Sequence, residues 1–323
     1  ALARLLARHP EFCRGLTIEN DLAVMLPARF VLGLAVGGAS VVVVDAGRPR
    51  NAATLRSHGF LTRDGISPIE LRKLARAELQ QYQNVRILDR ARVGAVRPAL
   101  GPDGRFEVAV TARTPGEPPV LAAETVLVAT GLSETLPAIP SIRSFYGMSM
   151  FSCAACDAWE LQDKPLALIG ETPDLPDRAR LLARWTDDLT VFTNGTDVVD
   201  AVAEAELAAS GIAVERRAID DLEGEKGAVS GVRLADGSVI PVAGGFVRPA
   251  WHAAADFFDG VDPDRDLDGH LIVDGSGRTS VPGLYAAGDA AAPGPQQIIV
   301  AAGQGARAAA VLVHDLVGVR TSH

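Results

Sequence analysis

The sequence predicts an α/β chain of two Rossmann-like nucleotide-binding domains, the first of them discontinuous. Three observations predict it. Short apolar runs suited to buried strands alternate with helical patterns, and a strand-helix-strand arrangement starts near Leu22 and again near Leu166. The last stretch, Gly283 to Leu316, reads as a strand, a Gly-Asp turn and one long alanine-rich helix that returns to the first domain. The expected boundaries are 1–143 with 253–323 for the first domain and 144–252 for the second.

Each element has its own reason. Leu22 to Met25 is a short apolar run, expected as the opening strand. Phe30 to Val44 is uncharged over 15 residues, short of the ~18 that a membrane span needs. Gly37-Gly38 and then four valines divide it into helix, turn and a buried strand ending at Asp45. Pro68 to Tyr82 has helical periodicity, and Val85 to Leu88 is the next strand. Arg97 to Pro119, rich in Pro and Gly around Phe106 to Thr111, is expected as an antiparallel hairpin inserted in the parallel sheet. Thr125 to Thr130 returns as a strand, followed by Gly131. Leu166 to Gly170, a helix over Asp177 to Trp185, and Leu189 to Thr193 begin the second domain.

Composition narrows the function. The 323 residues are 48% hydrophobic and 22% charged with a formal net charge of −9, and no Lys/Arg-dense block supplies the footprint of a nucleic-acid or anionic-membrane binder. Arg4, Arg8, Glu11, Arg14 and Glu19 interrupt any signal-peptide core in the first 20 residues. Three cysteines cannot make a secreted disulfide framework. The cytoplasm is the expected compartment.

The chemistry concentrates in Cys153-Ala154-Ala155-Cys156, with Asp157 next, in a turn-then-helix context. Two intervening residues at a helix start let the sulfurs bond, and a helix dipole favours a thiolate there, so a redox dithiol follows. Half a zinc site is the alternative, although Cys13 stands alone and the six histidines have no ligand spacing. No resident metal is expected. Asp45 ends a strand, where a carboxylate can take a ribose diol or simply be solvated. Thr130-Gly131 ends another strand and permits close backbone approach. Gly288-Asp289, followed by Gln296, Gln297 and Ile298, puts an acid in a turn where it can hold a ribityl chain, ahead of a helix start that can face a flavin pyrimidine. Trp159, Trp251, His252 and Phe145-Tyr146 could line a pocket, and core is the expectation for these aromatic positions.

Asp45 to Asn51, Ser57-His58-Gly59-Phe60, Ala129-Thr130-Gly131, the Cys153/Cys156 pair with Asp157, and Gly288-Asp289 with Gln296-Gln297 resemble thioredoxin-reductase-like flavoproteins. Within that family the Ser-His-Gly-Phe stretch resembles the oxidases that close disulfides in natural products such as gliotoxin and holomycin. The resemblance implies FAD in the first domain, an NAD(P)H-type second domain carrying the dithiol, and a homodimer. It implies Cys156 as the flavin-side sulfur, Cys153 as the one that exchanges with substrate, Asp157 as acid/base and His58 as a second proton carrier. Asp289 would hold the ribityl and phosphate region, Gln297 and Ile298 the flavin ring, and Asp45 the adenosine ribose.

The pattern also breaks. A G-x-G-x-x-G is expected between the first strand and helix; that position reads Met25-Leu26-Pro27-Ala28-Arg29-Phe30, where Pro27 has no amide proton. Gly303-Gln304-Gly305-Ala306-Arg307-Ala308 falls inside the last helix and is a chance match. Residues 1–20 match no pattern of the family. In the second domain Glu171, Asp174 and Asp177 would repel a pyrophosphate, and Phe192 to Gly195 offers no arginine for a 2′-phosphate. The expected activity is therefore oxidation of a dithiol, in a small molecule or a thioredoxin-like protein, with oxygen as acceptor. An NADPH-dependent thioredoxin reductase and a non-enzymatic remnant without flavin are the alternatives.

Overall fold

A computed structural model describes residues 12–19, 25–100, 105–111, 120–291 and 295–319. The chain divides into two compact units, residues 1–52, 59–133 and 252–323 in one and residues 53–58 and 134–251 in the other.

In the first unit, β1 (Phe12–Glu19) pairs in parallel with both β2 (Val41–Asp45) and β6 (Val120–Val128), with Gly15 opposite Val41 on one side and Thr125 on the other. The strand expected at Leu22 to Met25 is thus misplaced. Met25 already opens helix α1 (Met25–Val36), and Leu22–Val24 lie outside the described residues. A four-residue apolar run cannot be told from a helix start by periodicity alone. The shift also corrects the reading of Pro27. It sits in the first turn of α1, where its missing amide is one of four that lack an intrahelical partner. The link between β1 and α1, where phosphate-binding glycines would stand, lies outside the described residues.

Helix α2 (Pro68–Leu79) starts as its sequence demands: Pro68 occupies the first turn, and the Ser67 hydroxyl accepts the Glu70 N–H at 3.2 Å. β3 (Val85–Asp89) extends the sheet beyond β2. The expected hairpin forms, but it is wider: β4 (Arg92–Pro98), β5 (Phe106–Thr111) and β6 make an antiparallel meander whose last strand doubles as a parallel partner of β1.

The second unit has a parallel sheet of β7 (Met150–Phe151), β8 (Leu166–Ile169), β9 (Leu189–Phe192), β10 (Ala213–Glu215) and β14 (Gly244–Val247), in the order β10-β9-β8-β14-β7. The single turn α3 (Ala154–Asp157) follows β7, α4 (Leu175–Leu182) links β8 to β9, and α5 (Ala201–Ala209) precedes β10. An antiparallel sheet of β11 (Ile219–Glu225), β12 (Ala228–Leu234) and β13 (Val239–Pro241), which the apolar runs did not reveal, packs Leu222, Val229, Val232 and Leu234 against Ile169 and Phe192 in one core.

The chain then returns to the first unit. β15 (Leu284–Ala286) pairs in parallel with β6, and α6 (Ile298–Leu316) packs on α1 so closely that a Cβ on Gly33 would lie 2.7 Å from Ala309 Cβ. The Gly303 to Ala308 stretch lies inside α6. No described helix is long and apolar enough to cross a membrane.

Candidate active site

The dithiol centre lies within the second unit. Cys153 and Cys156 form a disulfide with their Cα atoms 5.3 Å apart, so neither is a free thiolate for zinc. Cys153 is extended (φ −120°) and begins the turn, and the N–H groups of Cys156 and Asp157 both donate to its carbonyl at 3.2 Å. The expected dipole contribution is small, because α3 has only four residues and few peptides align.

Residues 53–58 also belong to this unit. Gly147 (φ +80°) makes this close fit: a Cβ there would come within 2.3 Å of the Ala53 carbonyl oxygen. The segment carries His58 to the dithiol region, where its Nε2 lies 3.4 Å from Glu160 Oε1. Burial pushes the Asp157 carboxyl up to about 7, against the lowering effect of His58 and with a further rise from Glu160. Sequence reasoning found Cys153, Cys156, Asp157 and His58, and missed Glu160. Its position four residues after Cys156, on the turn that continues α3, is the signal that could have found it.

The aromatic positions divide. Phe145 is core, as expected; Trp159 is 69% exposed, because the turn Trp159–Leu161 buries Leu161 instead. The Tyr146 hydroxyl donates to Glu134 Oε2 at 2.8 Å and lies within hydrogen-bond distance, 3.0 Å, of the Ser152 hydroxyl, beside Cys153 in sequence. Trp251 lies under the Arg248 guanidinium. His252 is exposed and belongs to the first unit.

In the first unit the other candidates gather at the carboxyl ends of three parallel strands, where open α/β sheets take nucleotides. Ala287 N–H donates to the Val128 carbonyl at 3.1 Å, which sets Thr130-Gly131 beside Gly288-Asp289. Gly131 (φ +67°) and Gly288 (φ +70°) make the turns. Buried Asp289 takes Arg50 Nη2 at 3.2 Å, which ties in the loop after β2, and the Gly288 N–H donates to Gln304 Oε1 at 2.6 Å. Asp45, at the end of β2, accepts from the Gly47 N–H at 2.6 Å and from Arg72 at 3.1 Å, and Arg76 bridges it to Asp89. Arg50, Arg72, Arg76 and Gln304 were not selected from the sequence. Arginines three or four residues apart on α2 carry no distinctive spacing, and Gln304 sits in the motif dismissed as chance.

These residues fit a flavin dinucleotide. Thr130 is fully buried, yet its hydroxyl makes no hydrogen bond among the described residues, nor does the buried Asn51 Oδ1. Buried polar groups of this kind are normally satisfied. Gln297 precedes α6 without capping it through its side chain, which leaves the first amides of Ile298 and its neighbours to another acceptor. Gln296, Gln297 and Ile298 are half-buried.

At the nucleotide position of the second unit the acidic side chains are paired within the protein. The expected bare repulsion by its acids needs correcting, since each acid has a partner: Glu171 accepts from Asn194 at 2.6 Å, Asp177 pairs with Arg180 at 2.7 Å, and Asp174 is held by two arginines. A Cβ on Gly170 would lie 2.6 Å from Leu175 Cδ1.

Comparison with known proteins bears on both units. Residues 28–305 match the family described as pyridine nucleotide-disulphide oxidoreductase. A thioredoxin reductase of Treponema pallidum is 32% identical over 198 residues, 58% of this chain and 62% of that protein. Matches to curated relatives span 38% to 76% of the relatives' own length. Among solved structures, TrxB of Bacillus anthracis, named as a thioredoxin reductase, superposes with a TM-score of 0.86 at 32% identity, covering 95% of this chain and 99% of that one. HlmI gives the same TM-score and identity over 96% and 94%. The fold is thioredoxin-reductase-like.

Proposed function

The chain belongs to the pyridine nucleotide-disulphide oxidoreductase family, and we propose that within it the protein is an FAD-dependent dithiol oxidase that closes a substrate disulfide at Cys153–Cys156 and passes the electrons to oxygen. The observation that carries the reading is the formed disulfide with Asp157, its carboxyl pushed up to about 7, at the adjoining position. The acids at the nucleotide position of the second unit, which hold its arginines in ion pairs, support oxygen rather than NADPH as the redox partner.

The chemistry divides into two exchanges. One substrate thiolate attacks Cys153 Sγ, the Cys153–Cys156 bond breaks, and Cys156 leaves as a thiolate. The second substrate thiolate attacks the substrate sulfur of that mixed disulfide, which frees Cys153 and releases the oxidised product. Two electrons then reside on the cysteine pair. Asp157, titrating near neutrality, takes a thiol proton in one direction and returns it in the other. His58 and Glu160 set that proton affinity from either side. FAD, when bound, supplies the two-electron acceptor that reoxidises the pair and reduces oxygen to hydrogen peroxide. Asp289, Thr130, Gly131, Gly288, Gln296, Gln297 and Ile298 would hold it, and Asp45 its adenosine ribose. The resemblance of Ser57-His58-Gly59-Phe60 to the natural-product dithiol oxidases supports a small dithiol metabolite as substrate. A cytoplasmic homodimer belongs to the same reading.

Flavin absorbance tests this directly. Bands that bleach on anaerobic addition of a dithiol and recover in air, with peroxide formed, are the expected result. Bleaching by NADPH would instead establish the second reading, a thioredoxin reductase, which the Treponema pallidum relative favours.

A further inference from the structure

The turn between β8 and α4 holds an ion cluster that thiol chemistry does not use. Asp174 Oδ2 accepts from Arg178 Nε at 2.7 Å and from Arg248 Nε at 3.0 Å, while Oδ1 accepts the Thr172 hydroxyl at 2.5 Å. The Arg248 guanidinium lies 3.9 Å over the Trp251 ring, and that of Arg178 lies 5.7 Å from it. Two cations from separate segments therefore converge on one internal carboxylate. Burial opposes the charge of Asp174, but the Thr172 and Arg178 hydrogen bonds and the two arginine charges outweigh it and hold its carboxyl below the usual range.

This turn lies at the carboxyl ends of β8 and β9, where an open parallel sheet takes a dinucleotide pyrophosphate. The helix itself has little to offer an anion. The Leu175 N–H donates to the Thr172 carbonyl at 3.1 Å, and Pro176 has none. The cations at this turn are Arg178 and Arg248, and each turns its Nε onto Asp174. Glu171 and Asn194 bridge the two strand ends in front of it, with Asn194 Oδ1 fixed by the Ile219 N–H at 2.8 Å.

We propose that Asp174 is a specificity-determining residue: its carboxylate takes the two guanidinium contacts that a pyridine-nucleotide pyrophosphate would need, and so keeps NADPH and NADH out of the second unit. The inference rests on the dithiol-oxidase reading, because it supplies the reason why electrons reach the protein from a dithiol alone.

Binding of NADPH, NADH and inorganic pyrophosphate should be measured by calorimetry on the full-length flavoprotein and on its Asp174→Ser, Asp174→Asn and Asp174→Ser/Glu171→Ser variants, with circular dichroism as the check on folding. The wild type is expected to bind none of the three. Asp174→Ser should bind pyrophosphate and NADPH at least about tenfold more tightly than the wild type, as the gain of charge-assisted hydrogen bonds implies. The gain should weaken with salt and vanish when Arg248→Met is added. Asp174→Asn, which keeps the shape without the charge, should fall between. Folded serine variants that bind no better than the wild type would overturn the proposal, as would a wild type that binds NADPH with Asp174 in place. Dithiol-driven oxygen uptake by the wild type is scored separately. Its absence beside a gain of nucleotide binding would sink the oxidase reading alone, and its presence without that gain would sink this inference alone.

Discussion

His58 Nε2 stands 3.4 Å from Glu160 Oε1, and the two side chains act on Asp157 in opposite directions. The histidine favours the ionised carboxylate and the glutamate opposes it, against a background of burial that raises its proton affinity. The carboxyl next to the disulfide therefore changes protonation near neutral pH.

Stability should record that tuning. Folded Asp157 holds its proton to about pH 7, whereas its ordinary value is 3.8, so between these limits the folded state binds more protons than the unfolded one. This contribution makes the protein less stable as pH rises through the window and flat above it. Urea titrations across that range should show a shallower slope for Asp157→Asn. His58→Gln should move the Asp157 titration to higher pH, read from the pH profile of dithiol oxidation; a shift to lower pH would refute the pairing.

Cys156→Ser should lower dithiol-driven oxygen uptake by about a thousandfold or more, because no internal disulfide remains to be attacked. The flavin spectrum should be retained. Activity within tenfold of the wild type would end the mechanism.

Asp289→Ala removes a buried carboxylate and its ion pair with Arg50. We expect the purified variant to be pale, with a flavin-to-protein absorbance ratio well under half that of the wild type. Thr130→Val, which replaces a buried hydroxyl by a methyl of similar size, should weaken FAD retention less, by about tenfold or under.

Gly33→Val tests how α1 and α6 meet. Its added side chain would press on the Ala309 Cβ, which sits on a helix backbone and cannot rotate away. A loss of about 2 kcal/mol or more in denaturant unfolding is expected. A neutral effect would show that the helices can part at little cost.

The sequence made some of these features legible and hid others for definite reasons. Val41–Asp45, Leu166–Ile169 and Leu189–Phe192 announce themselves as buried parallel strands because both faces are covered, which demands unbroken apolar runs. Phe12–Glu19 interleaves Arg14, Gly15, Thr17 and Glu19 with its apolar residues, so its place between β2 and β6 becomes visible only through backbone pairing. The second antiparallel sheet alternates and carries Asp220, Glu223 and Arg233, which a search for continuous runs passes over. At the site, Cys153, Cys156 and Asp157 were readable because their chemistry depends on spacing along the chain. Glu160, Arg50 and Gln304 were not, since their roles come from contacts that folding creates.

Residues 53–58 lie between two stretches of the first unit, yet they fold with the second, seated by Gly147. A chimera that exchanged the second unit by cutting only near residues 134 and 251 would carry the disulfide and Asp157 but leave His58 behind. Recombination between relatives that respects the proton chemistry must therefore transfer two separate pieces of sequence, one of them six residues long. That linked inheritance makes the short loop part of the unit that carries the disulfide, although nothing in its own composition marks it as such.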